Sequence, residues 1–139
     1  MLGQDPDAAQ EMLNSWTAEL SARAQAAADL SERVAVLAAS ATSADGVVRV
    51  TVAASGALTD LRLDDRVQRM RGSELASIIM ATVARAQAGL TDQVMVAVHD
   101  TVGTDSETGR AITDTFARRF PKPADEQPER WERDTRSGW

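Results

Sequence analysis

Two short runs near the middle of the chain alternate apolar and polar residues with a period of two. The first is VVRVTV at residues 47–52, and the second is LTDLRL at residues 58–63. This alternation predicts strands with one buried and one solvated face. Gly56 lies between the runs, and glycine readily takes the positive φ that a tight turn requires. The pattern therefore predicts an antiparallel β-hairpin over residues 47–63, the only sheet that the sequence indicates.

The segment before the hairpin carries apolar residues at alternating spacings of three and four. This heptad pattern predicts a coiled-coil-like helix over residues 7–41. Arg23 interrupts the apolar seam. Either its stem lies along the seam while its charge reaches water, or it sets the register against an acid of a partner chain. The seam consists of Leu13, Trp16, Leu20, Ala27, Leu30, Val34, Leu37 and Ala41.

The segment after the hairpin shows helical periodicity twice. A stripe of apolar residues predicts a long helix over residues 73–102, and a capping-box pattern predicts a third helix over residues 105–120. From residue 121 onward, three prolines and mixed charges predict a disordered tail over residues 121–139. Trp131 and Trp139 in that tail either dock a partner or are incidental.

The 139 residues fit one α+β domain, residues 1–120, followed by the tail. Leu, Ile, Val and Phe make up about a fifth of the chain, and alanine favours helix but buries little area. Two strands alone are marginally stable in water. A thin core of this kind predicts a homodimer whose interface completes it. The residues expected at that interface are Val48, Val50, Val52, Leu61, Leu63, Trp16 and Leu20.

Catalysis finds little support in the residue inventory. The absence of cysteine excludes disulfides and thiolate metal sites, and His99 is the single histidine. No glycine-rich nucleotide loop and no G-x-S-x-G motif is present. We therefore expect no enzymatic activity, no cofactor and no metal. The N-terminus lacks signal-peptide features, and no apolar run approaches the ~18 residues of a membrane span, which predicts a cytoplasmic protein without a membrane partner.

The net charge of −6 argues mildly against a polyanionic partner, but residues 45–72 hold five arginines against four aspartates. The planar guanidinium binds phosphate oxygens bidentately, and a two-fold axis would double the set. In the alternative interpretation, Arg49 pairs with Asp60 across the hairpin and the loop arginines are merely solvated. Nothing indicates base readout, so any DNA contact should be made to the backbone and be salt-sensitive. The candidate DNA-binding residues are Arg49, Arg62, Arg66, Arg69 and Arg71.

The segment GVVRVTV at residues 46–52, the turn at Gly56 and the leucines and aspartate of the second strand lie between a heptad-bearing helix and a long second helix. Over residues 8–102 this arrangement resembles the YbaB/EbfC family of bacterial nucleoid-associated proteins. The resemblance implies a homodimer in which hairpins join across the two-fold axis and helices project as tweezers. It also implies DNA binding with little sequence preference, located at the nucleoid.

Three features depart from that family pattern. The first helix is acidic and rich in alanine, no proline follows the aspartate of the second strand, and the third helix and tail extend beyond the usual core. Some relatives in this family are associated with specialised secretion systems. An alternative function is therefore a dimeric adaptor or chaperone with little DNA binding. Its protein partner would bind the acidic first helix or the tryptophan-containing tail.

Overall fold

The computed structural model describes residues 6–123, and these form three α-helices and a three-stranded antiparallel sheet. A short 3-10 helix, Asp65–Arg69, connects the sheet to the second α-helix. The predicted α+β class is confirmed. The elements in chain order are α1 (Pro6–Ala35), β1 (Ala38–Thr42), β2 (Val48–Ala53), β3 (Leu58–Leu63), α2 (Gly72–Asp100) and α3 (Glu107–Arg119).

The first helix is shorter than its sequence pattern predicted. Helix α1 ends at Ala35, and residues 38–42 form strand β1 instead of the last helical turns. Strand β1 pairs antiparallel with β2, and its Ala39 and Ala41 lie opposite core-facing valines. Alanine has a high helix propensity, but in residues 38–42 hydrogen bonding to a neighbouring strand overrides that propensity. The sheet therefore has three strands rather than the two predicted.

Strand β2 is the centre of the sheet, and its valines form the middle of the core. Val48, Val50 and Val52 have no exposed surface. Helix α2 packs across β1 and β2 and contributes its own buried row, including Leu90 and Val94. The three valines were expected at a dimer interface. Because α2 of the same chain covers them, these three valines belong to the core of the chain and cannot themselves contact a second copy.

Helix α3 packs back onto α2 and reaches the turn between β2 and β3. Phe116 and Phe120 are buried, and their ring centroids lie 6.1 Å apart. The Arg119 guanidinium donates to the Ser55 carbonyl at 3.1 Å and lies 5.1 Å from the centroid of the Phe120 ring, within cation–π range. The third helix thus clamps the hairpin turn. Of the predicted tail, residues 124–139, including Trp131 and Trp139, lie outside the described residues.

Gly56→Ala should destabilise the fold by about 1–3 kcal/mol. Gly56 has a φ of +88°, and a Cβ at this position would overlap the Phe120 ring. The measurement is urea denaturation. The matched control is Gly72→Ala at the start of α2, where an added Cβ meets nothing within 4 Å. The control should leave stability unchanged or raise it by up to about 1 kcal/mol. Equal effects of the two substitutions would contradict the packing of Phe120 on the turn.

Candidate nucleic-acid interface

The face of the sheet that points away from α2 is polar, and its arginines are exposed. Strand β2 alternates buried valines with outward-facing residues, so Arg49 and Thr51 point to this face. The register places Arg49 directly opposite Arg62 of β3. Two cross-strand rows result: Thr42, Arg49 and Arg62 in one, and Ser40, Thr51 and Asp60 in the other. The hydroxyls of Ser40 and Thr51 are hydrogen bonded to each other at 2.9 Å.

Only one of the two arginines that pair across the strands has a carboxylate partner within residues 6–123. Arg62 donates from Nε to Asp60 Oδ2 at 3.0 Å along its own strand. Arg49 has no ion-pair partner among residues 6–123, so the alternative pairing of Arg49 with Asp60 is wrong. Like charges directly opposite each other on a sheet are destabilising. An anion bound between the guanidiniums would relieve that repulsion.

A β-bulge places Arg49 and Arg62 directly opposite each other in the register of β2 and β3. The register between β2 and β3 shifts at Thr51 and Val52, which leaves Thr59 as the extra residue on β3. The Thr59 hydroxyl donates to the Thr51 carbonyl at 3.1 Å. A bulge reverses the facing of all residues beyond it. Without it, Arg49 would lie opposite Leu61.

The Arg66 side chain forms hydrogen bonds that link the β1–β2 turn to the segment after β3. Its Nε donates to Asp64 Oδ1 at 3.0 Å, and its Nη2 donates to the Asp45 carbonyl at 3.1 Å. Asp64 also caps the 3-10 helix by accepting from the Arg66 backbone N–H at 2.9 Å. The side chain therefore links the β1–β2 turn to the segment after β3. Substituting it would disturb local structure as well as charge.

Arg69 and Arg71 lie in the connection from the 3-10 helix to α2. Both are exposed, and neither forms an ion pair within the described part of the chain. Arg85 of α2, which no sequence pattern marks as a site residue, donates to the carbonyl of Thr42 at the end of β1. Arg85 follows Thr42 by 43 residues and is part of no sequence motif, so this contact could not be predicted from the sequence. The basic residues thus gather around the β1–β2 turn and the connection that follows β3.

A comparison with protein-family models matches residues 8–104 to the YbaB/EbfC DNA-binding family. The chain belongs to this family. The resemblance predicted from the hairpin and its flanking helices is therefore confirmed, and the match ends before α3 begins. A comparison with curated proteins returned no match.

Membrane-spanning helices and metal sites were also sought in this YbaB/EbfC-family chain. Within residues 6–123, no helix combines the length and apolar character needed to cross a membrane. Over the same residues, no group of three or more acidic, histidine or cysteine side chains is placed to hold a metal ion.

Two aspartates of this YbaB/EbfC-family chain, Asp45 and Asp64, have lowered pKa values. The Ser43 hydroxyl donates to Asp45 Oδ1 at 2.6 Å and, with the Val47 backbone N–H, holds the pKa of Asp45 below its ordinary value. The backbone N–H of Arg66, together with its guanidinium, lowers the pKa of Asp64. Both carboxylates organise turns, and they partly offset the positive charge around Arg66.

The opposite face of β3 is apolar and uncovered. Leu58, Leu61 and Leu63 lie across from the core valines of β2, while α2 packs mainly on β1 and β2. Their exposed fractions are 45%, 41% and 43%. Leu61 and Leu63 were expected at a dimer interface, and the exposure leaves them available for one. Trp16 and Leu20, from the same prediction, lie on a different surface, the N-terminal part of α1, and are also exposed.

Asp64→Asn should reduce the sensitivity of folding stability to acid. A carboxyl whose folded pKa lies below its ordinary value of 3.8 stabilises the fold above that pH, and this stability is lost as the pH falls through the folded pKa. The free energy of unfolding, measured by urea denaturation, should therefore fall less between pH 6 and pH 3 in the variant than in the wild type. Asparagine can still act as a cap. Asp92→Asn, on an exposed position of α2, is the control, and an identical acid response of both variants would contradict the role of Asp64.

Proposed function

We propose that this protein binds duplex DNA through its phosphate backbone, with little sequence preference, as a homodimer associated with the nucleoid. The observation that carries the proposal is the Arg49–Arg62 pair. These two residues pair across β2 and β3 on an exposed sheet surface, and only Arg62 has a carboxylate partner within residues 6–123. Membership of a DNA-binding family supplies the general function, and this pair supplies a surface for it. We assign the protein no enzymatic reaction.

The chemistry of the outer face suits phosphate oxygens. Arginine presents a planar fork of donors, and the hydroxyls of Thr42 and Ser40 beside it can add neutral hydrogen bonds. No helix in the described chain presents a row of basic residues for insertion into a groove. The chemistry of this surface therefore favours binding to the DNA backbone without base readout.

The negative net charge does not oppose this arrangement, because the acids are concentrated elsewhere. Helix α1 holds five acidic residues against two arginines. Its contacts with the body are made to α2, near the end of that helix remote from the β1–β2 turn. Repulsion between α1 and phosphate weakens with distance and is screened beyond about 10 Å at 0.1 M salt.

The homodimer part of the proposal rests on the leucines of β3. Leu58, Leu61 and Leu63 continue the apolar face of the sheet past the edge of α2. A second copy placed against this row would remove them from water, at about 25 cal/mol for each Å² of apolar surface buried. A two-fold axis would also present two Arg49–Arg62 pairs to one duplex.

Arg49→Gln/Arg62→Gln should weaken DNA binding and flatten its salt dependence. Neutralising two phosphate contacts in each protomer removes counterion release from up to four sites, so the slope of log affinity against log salt should fall by about 2 to 4. The measurement is fluorescence anisotropy with a random-sequence duplex between about 50 and 200 mM salt.

The matched control for that experiment is Arg110→Gln/Arg118→Gln, which removes the same charge from exposed positions of α3. It should change the affinity and the slope much less. If both double variants lose affinity equally, net charge and not the sheet face carries the binding. If the wild type does not bind at the lower salt, the proposal of DNA binding fails altogether.

Leu61→Ser/Leu63→Ser should shift the protein from dimer to monomer at micromolar concentration. Each substitution removes an apolar side chain from the exposed row and leaves the buried valines of β2 unsubstituted. The measurement is sedimentation velocity, with Val36→Ser, an exposed apolar position outside the sheet, as the control. A wild-type protein that sediments as a monomer at micromolar concentration would contradict the dimer.

A further inference from the structure

The N-terminal part of α1 carries an apolar ridge that no other part of the described chain covers. We call residues 6–22 the α1 tip. Every residue from 6 to 25 is exposed, and the only fully buried residue of α1 is Leu30. Trp16, at the centre of the ridge, has an exposed fraction of 60%. The ridge consists of Met12, Leu13, Trp16 and Leu20.

The α1 tip and the sheet face that carries Arg49 and Arg62 lie toward opposite ends of α2. Arg33 forms an ion pair with Asp100 at 3.6 Å, and a groove between Arg23 and Thr101 separates α1 from the end of α2. Trp16 lies about 10 Å farther along α1 than Arg23, at 1.5 Å per residue. The β1–β2 turn instead lies beside the N-terminal half of α2, where Arg85 reaches β1. A partner on the tip would therefore not compete with DNA on the sheet.

The spacing of the ridge is that of a helix that docks through one face. Leu13, Trp16 and Leu20 follow the i, i+3, i+7 pattern by which amphipathic helices occupy apolar surfaces. Trp16 adds the type of side chain that most often dominates binding energy. Such a row, solvated along its whole length, lacks the packing that normally stabilises an amphipathic helix in a protein.

The charge around the ridge indicates what kind of partner fits it. Within the tip, Asp7, Glu11 and Glu19 are acidic and no residue is basic. Two tips packed side by side would bring Glu11 and Glu19 of both copies together, and no lysine or arginine lies within residues 6–22. A surface with basic flanks would gain attraction at the same positions. The charge pattern therefore favours a partner other than a second tip.

We propose that the α1 tip docks on a protein partner presenting an amphipathic helix whose apolar stripe is flanked by lysines and arginines. This docking is independent of the DNA-binding proposal, since it uses other residues at another end of the molecule. It gives the protein a second binding surface and the character of an adaptor.

The experiment follows the fluorescence of Trp16 in a Trp131→Phe/Trp139→Phe background, where it is the sole tryptophan. The probe is a synthetic 18-residue leucine/lysine amphipathic helix. Saturable binding with a blue shift of the emission is the expected result. Leu13→Ser/Leu20→Ser should weaken it by about tenfold or more, as loss of anchor residues does. Glu11→Gln/Glu19→Gln should weaken it by about threefold and reduce its salt dependence.

The control variant, Val36→Ser/Val96→Ser, alters exposed apolar residues outside the tip and should bind the probe as the background protein does. Three results would overturn the proposal. The first is no binding, or binding that Leu13→Ser/Leu20→Ser leaves unchanged. The second is equal binding of a leucine/glutamate version of the probe. The third is a concentration-dependent blue shift of Trp16 without probe, which would show that two tips pair with each other.

Discussion

Burial of the β2 valines beneath α2 is the constraint on which the rest of the structure depends. Val48, Val50 and Val52 are completely buried, and each contributes about 1.5–3 kcal/mol relative to an exposed position. Because side chains alternate along a strand, burying these three turns Arg49 and Thr51 to the opposite face. The valines therefore set both the core and the direction of the candidate DNA-binding residues.

The same alternation gives β3 two different surfaces. Its arginine faces outward beside Arg49, while its leucines continue the apolar face of the sheet beyond α2. A phosphate-binding face and a dimer-forming face can thus occupy one strand without sharing a residue. The α1 tip, which holds three acidic residues and no basic one, lies toward the opposite end of α2 from the basic surface.

Additions beyond the family match stabilise this arrangement. Helix α3 follows the matched residues 8–104, and its Phe120 and Arg119 pack on the turn between β2 and β3. Gln87 of α2, which lies within the matched residues, donates to the Gly56 carbonyl at 2.9 Å and so also contacts this turn. The third helix was predicted from its capping pattern, but its docking depends on contacts between residues far apart in sequence.

The sequence by itself determined the hairpin, the two long helices, the α+β class and the set of arginines, because period, turn glycine and charge are local properties. Tertiary structure alone decided that residues 38–42 form a strand, since alanine there has no strand preference until β2 lies beside it. It also decided the Arg49–Arg62 pairing, which needs the bulge at Thr59, and the role of Arg66 in joining two turns. Strand register and long-range pairing arise from contacts across the fold, and no local pattern encodes them.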